Sequence, residues 1–161
     1  MDAQAYRAIM RNQAGAVTII AVGDAGNRTG LTATAVCSLT DSPPTLLACV
    51  NRSASAHAPI LTMRSFSINL LARDQHELAM AFSGRAGLEG EARFAPQEWI
   101  TLATGAPVLK NALASLDCEL TDEHGFDTHS VFIGRVRDGH TRENVEPLLY
   151  FQGSFWDLVK R

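Results

Sequence analysis

Between Gly30 and Ser38 the chain reads GLTATAVCS. Thr32, Ala33, Thr34, Ala35, Val36, Cys37 and Ser38 are all small, and Thr32, Thr34 and Ser38 carry hydroxyls. Small side chains let a flat ligand lie close to the backbone, while hydroxyls and free N–H groups can meet its polar rim. Thirteen residues beyond Ser38 comes Asn51-Arg52-Ser53-Ala54-Ser55. Backbone amides, the Ser53 and Ser55 hydroxyls and the Arg52 guanidinium would suit a phosphate there. Composition alone equally allows a Thr-rich edge strand followed by a polar loop. His129 stands between Asp127-Thr128 and an apolar run. It reads either as a hydrogen-bonded core histidine or as a donor at the mouth of a pocket. Phe82 and Tyr150 read first as core and second as rings that stack on a ligand. Cys37 reads as a small hydrophobe within its segment.

Other chemistries lack their motifs. No GxGxxG follows a strand, so a dinucleotide is not held in the Rossmann manner, and no GxxxxGK[ST] or HExxH occurs. The five histidines are scattered and give metal catalysis no support. Net charge is -3 without a basic stripe, which argues against nucleic acid as a partner. Cys37, Cys49 and Cys118 form no CxxC pair, so the expectation is reduced thiols in a cytoplasmic protein. The first residues lack the apolar core of a signal peptide, and the apolar runs are short for a membrane span.

The elements that must position these residues are mostly strands. Asp2 can cap a short helix with Tyr6, Ile9 and Met10 on one face. Residues 16–22 and 45–50 read as buried strands, residues 28–38 as one Thr-rich strand, and Phe66 to Leu71 as another. A helical turn is expected up to Met63 and a helix over residues 75–82. The Gly-rich stretch 83–109 reads as loops with short elements around Trp99. Residues 112–120 alternate apolar and polar, a half-buried strand. His124-Gly125-Phe126-Asp127 should turn the chain into a central strand over 131–136, with a last strand at 148–151. Many strands and few helices predict one domain over residues 1–161, a mainly β split barrel with a few short helices.

The order of motifs resembles the short flavin reductase family, the reductase components of two-component flavin monooxygenases. The run from Gly30 to Asn51 carries most of the likeness. FSINLL (66–71), Phe82-Ser83-Gly84, Arg93-Phe94, GAPVL (105–109), LDCE (116–119), Thr128-His129 and LLYF (148–151) follow in family order. The resemblance implies a split β-barrel of FMN-binding type that forms a homodimer. It implies FMN, with FAD possible, and NADH or NADPH as hydride donor. Carried over residue by residue, Thr32 to Ser38 would line the flavin ring and its ribityl chain. Asn51, Arg52, Ser53 and Ser55 would hold the phosphate, and Phe82, Ser83 and Gly84 would close one side. His129 would face the nicotinamide, with Tyr150 beside it. The charged stretch DGHTRENVE (138–146) departs from what an oxygenase partner leads one to expect. The electron acceptor is therefore left open among an oxygenase component, a ferric complex and a corrinoid cobalt. A flavin-binding protein without turnover is the further alternative.

Overall fold

The computed structural model describes residues 1–159. Helix α1 (Ala3–Met10) is capped by Asp2, whose carboxylate accepts from the Gln4 and Ala5 N–H groups. Strands β1 (Gly15–Ala16), β2 (Thr18–Val22), β3 (Thr29–Ala33), β4 (Val36–Asp41) and β5 (Pro44–Asn51) follow. Then come α2 (His57–Met63), β6 (Ser65–Leu70) and α3 (His76–Phe82). The rest is β7 (Trp99–Thr101), β8 (Pro107–Leu109), β9 (Ala114–Phe126), β10 (His129–Thr141), β11 (Leu149–Phe151) and β12 (Ser154–Trp156). The mainly β reading with short helices holds.

Seven strands form one sheet in the order β3-β2-β6-β9-β10-β5-β4. Every pairing in it is antiparallel. Its two edge strands, β3 and β4, are consecutive in the chain and joined only by Thr34 and Ala35. So short a link reaches roughly 11 Å at most. The sheet must therefore curl until its ends meet, a barrel with one seam that no ladder bonds close. Inside lie Ile20, Val22, Leu46, Ala48, Val50, Phe66, Ile68, Leu120 and Phe132, and Ile60 of α2 and Ala56 just before it pack into the same cluster. The opposite face of β2, through Ile19 and Ala21, packs with Leu78, Phe82, Phe94 and Leu109 beneath α3. Strand β2 is thus buried on both faces, which explains its unbroken apolar run.

Two expectations need correction. The Thr-rich run is not one strand: it breaks at Thr34 and Ala35, and the halves sit at opposite edges of the sheet. The turn expected at 124–127 lies later. β9 continues to Phe126, and the chain reverses at Asp127-Thr128, where Asp127 takes a φ of 29°. His124 and Gly125 belong to the ladder, opposite Val131 and Ser130. No helix among the described residues is long and apolar enough to cross a membrane.

Candidate functional site

The seam positions the candidate site. On β3, Leu31 and Ala33 pack toward the barrel interior. Thr32 points the other way and donates its hydroxyl to the Ala79 carbonyl of α3 at 2.7 Å. Its proton is committed to the helix, and only a lone pair is left for a ligand. Thr34 follows at the seam, against Gly15, and Gly15 pairs with Tyr150 of β11. These contacts close a cavity of about 200 Å3 lined by Val17, Thr32, Ala33, Thr34, Ser83 and Tyr150, with Ala79, Met80, Arg85 and Phe155 completing the wall. Five residues singled out from the sequence therefore share one cavity.

Phe82 does not face that cavity. It is 2% exposed and stacks edge-on with Phe94 at 5.0 Å. Its ring lies so close behind Gly30 that a Cβ there would sit 2.9 Å from it. Phe82 thus supports the wall from behind, and Gly84 turns the chain away with a φ of 77°. Residues 88–93 are pinned over β3. Glu91 accepts from the Arg28 backbone N–H at 2.9 Å and from its Nε at 2.8 Å, and Arg93 donates to the Gly30 carbonyl at 3.1 Å. The hydrogen bonds from Arg28 hold the Glu91 carboxyl below its ordinary range, and the Arg28 guanidinium lies 4.7 Å over Phe94.

Beyond the seam the same outer surface continues. Ala35 accepts from the Cys49 N–H at 2.9 Å, which sets β5 beside the link. Asn51, at the end of β5, pairs with His129 at the start of β10. From link to His129 is two strand spacings across and two residues along, about 12 Å. Asn51 folds its own loop: its Oδ1 accepts from the Ser53 N–H at 2.9 Å and the Ser53 hydroxyl at 2.8 Å. Ser55 is hydrogen-bonded to Thr29 at 2.7 Å, and the Arg52 N–H donates to the Thr128 carbonyl at 2.9 Å. The Arg52 guanidinium is exposed and lies over Gly125. His129 is exposed as well, and its Nδ1 meets the Thr128 hydroxyl at 2.8 Å. The reading of His129 as a buried core residue is therefore overturned. Cys37 and Ser38 are exposed on β4, and Val36 is half-buried.

The site thus has two parts on one surface: the cavity beside α3, and the Asn51–Ser55 loop with His129. The structure places Cys37, Ser38 and His129 outside the cavity. Sequence reasoning missed Arg85, Met80 and Phe155, which sit in or beside stretches without hydrophobic period. It also missed His57, buried beneath the loop with its Nε2 at 2.8 Å from the Ser130 hydroxyl. Periodicity gives no signal for a side-chain bond between residues so far apart in sequence. Cys118 is set apart from this surface. Burial, with Asp117 alongside, pushes its thiol up to about 12, so it is a packing residue at neutral pH.

The residues fit a flavin. The seam leaves one edge of β3 and one edge of β4 unpaired, so backbone donors and acceptors face a ligand there. The cavity beside it is lined largely by small and apolar groups, as a flat ring needs, and the polar loop with the exposed Arg52 guanidinium follows β5, the strand bonded to the link. A seven-stranded barrel with an unbonded seam, a cavity beside that seam and a polar loop after β5 is the architecture of a split-barrel protein. Comparison with known proteins agrees. The flavin reductase like domain matches residues 10–158, and the chain belongs to that family. The FMN reductase (NADH) RutF of Pantoea ananatis is 38% identical over 161 residues, which cover 100% of this chain and 84% of that protein. The flavin reductase PheA2 superposes with a TM-score of 0.89 at 32% identity, covering 99% of this chain and 100% of that one. BorF, the flavin reductase component of a bacterial two-component tryptophan halogenase, superposes with a TM-score of 0.89 at 31% identity, covering 99% of this chain and 100% of that one.

Proposed function

We propose that this chain, acting as one domain, is an NADH-dependent flavin reductase that uses FMN and hands electrons on to an oxygenase-type partner. The observation that carries the reading is the meeting of Thr32, Ala33, Thr34, Ser83 and Tyr150 around one cavity at the barrel seam. Relatives named as NADH-dependent FMN reductases, and a neighbour that serves a halogenase, support it. Thr34 to Ser38 would take the ring along the free strand edges, and Arg52, Ser53 and Ser55 would take the phosphate. A bound flavin supplies an acceptor for the hydride that reduced nicotinamide gives up. The protein's own part is to hold the two rings in contact and exclude water. Backbone N–H groups on the seam edges would steady negative charge on the ring's polar rim. His129 orients the nicotinamide by a hydrogen bond and carries no proton for the reaction. Three free thiols fit a cytoplasmic setting.

A second copy of the chain completes this reading. Leu47, Cys49, Val131 and Ile133 point outward from β5 and β10, and Leu39 on β4 is 53% exposed. They form one apolar face that borders Cys37 and His129, and a homodimer would cover it.

The test is NADH oxidation that depends on added FMN, run beside flavin titrations of Arg52→Ala. Arg52→Ala is expected to weaken FMN roughly tenfold while sparing riboflavin, because a charge-assisted bond is worth about 1.5–3 kcal/mol. Equal loss for both ligands would show that Arg52 serves something other than the phosphate. Absence of any flavin binding by the unaltered protein would remove the central claim.

His129→Ala is expected to lower the rate of flavin reduction, or raise the KM for NADH, by about one order of magnitude. FMN affinity should stay nearly constant. Because His129 is exposed, the cost in stability should be within about 0.5 kcal/mol. Stopped-flow reduction and a melting curve on one preparation decide it. Normal reduction kinetics would leave the nicotinamide without its assigned donor.

A further inference from the structure

We infer that His57 is a positioning residue: its buried hydrogen bond to Ser130 fixes the Asn51–Ser55 loop against His129, so that the grip on the flavin phosphate and the seat of the nicotinamide keep one spacing. This rests on the reductase reading above, in which the loop takes the phosphate and His129 the nicotinamide.

The loop is two tight turns laid end to end. The Ala54 N–H donates to the Asn51 carbonyl at 3.0 Å, and the His57 N–H donates to the Ala54 carbonyl at 3.0 Å. His57, the first residue of α2, marks the far end of the loop as Asn51 marks the near end. Each end is tied to the start of β10. Beside Asn51, the Arg52 N–H donates to the Thr128 carbonyl at 2.9 Å. At the far end, His57 Nε2 meets the Ser130 hydroxyl at 2.8 Å. Thr128 and Ser130 are the two chain neighbours of His129. A segment held at one point can pivot about it. Held on both sides of His129, the loop and that residue move as one body.

The second tie is shut away from water. Ser130 is fully buried, and His57 is 9% exposed. The His57 ring lies against Phe132, with centroids 5.2 Å apart. Apolar residues of the same shape at 57 and 130 could fill this space at little cost in stability. What the polar pair adds is direction, since a hydrogen bond holds only at one distance and angle. Ser130 also sets the floor of the loop. It pairs with Val50 on β5 and with Gly125 on β9. The Arg52 guanidinium lies over that glycine, where a Cβ would come within 2.8 Å of its Nη2. A shift of Ser130 is thereby passed to Arg52 and to His129 alike.

The test compares FMN with riboflavin, which lacks the phosphate, at a temperature where melting curves show every variant folded. The unaltered protein is expected to prefer FMN. In His57→Ala that preference should shrink about fivefold and the KM for NADH should rise by a similar factor, the scale of one hydrogen bond. Riboflavin affinity should stay nearly constant. Ser130→Ala, which removes a single oxygen, should do the same, and it decides the matter alone if His57→Ala does not fold. The double variant should lose no more than either single one, because both substitutions break one bond. His57→Gln, whose amide nitrogen can take the place of Nε2, should recover most of the loss. A lowered melting temperature with preference and KM unchanged overturns the inference and leaves His57 a packing residue. So does an equal loss for FMN and riboflavin, or a His57→Gln variant no better than His57→Ala. If the unaltered protein itself shows no preference for FMN, the loop does not hold the phosphate, and the reading of the site falls together with the inference.

Discussion

Gly30→Ala is expected to destabilise the fold by about 2–3 kcal/mol, the scale of forcing an extra carbon into a packed core. Gly30 faces Ala21 across the β2–β3 ladder. A Cβ built there lies 2.6 Å from the Ile20 carbonyl oxygen and 2.9 Å from Phe82 Cε1. The first of these is backbone within the sheet and cannot swing aside. The second is a ring wedged against Phe94 and Trp99. Either β3 lifts off or α3 moves outward, and both displacements break the bond from Thr32 to Ala79 that shapes the cavity. A melting curve should fall by roughly 4–12 °C for a chain of this size. Flavin affinity should fall with it, even at temperatures where the protein stays folded. A melting temperature within about 1 °C of the unaltered protein would show that the strand yields more easily than its neighbours suggest.

Ile133→Lys is expected to weaken self-association by about a hundredfold or more. Ile133 lies at the middle of the outward apolar face, opposite Leu47 on β5 and Asp122 on β9. In the lone subunit the new ammonium remains in water beside the Asp122 carboxylate, so the barrel should keep its stability. In a dimer that covers this face, the charge would be taken out of water without a designed partner. That penalty amounts to several kcal/mol, and about 3 kcal/mol already corresponds to a hundredfold. Light scattering at micromolar concentration should give about twice the 17.4 kDa chain mass for the unaltered protein and the single chain mass for the variant. An unchanged dimer would place the interface elsewhere, with the helix face of Tyr6 and Ile9, both more than half exposed, as the next apolar surface to consider.

Much of this fold is legible in the sequence because its main strands are buried on at least one face. The run at 18–22, the alternation from Ala114 to Leu120 and the core strand around Phe132 all follow from apolar periodicity. What failed did so for identifiable reasons. The later halves of β9, from Thr121, and of β10, from Arg137, are polar on both faces, so Thr121 to His124 looked like the approach to a turn. Each is held as strand by the apolar half of the other, 121–126 against 129–133 and 137–141 against 114–118, a tertiary cause without a local trace. The break at Thr34 is likewise silent, since no glycine or proline marks it. The wall of the seam cavity was legible where small and hydroxyl residues crowd a short stretch, at Thr32 to Thr34. The site was illegible where packing brings in a residue from a patternless loop, as with Arg85, or from a remote strand, as His57 meets Ser130.

The short link at the seam also bears on how such a protein can evolve. Residues in the ladders answer to partners on both sides, so a change there is felt in the core. Thr34 and Ala35 lie outside any strand and are exposed, and the ladder edges that flank them are unpaired. Selection can therefore change these two residues with little effect on whether the chain folds, and in the proposed site that would retune the ligand at the seam. Binding residues on an irregular segment held by a rigid scaffold have that freedom. One barrel could in this way be fitted to many partner enzymes, by substitutions that leave its interior untouched.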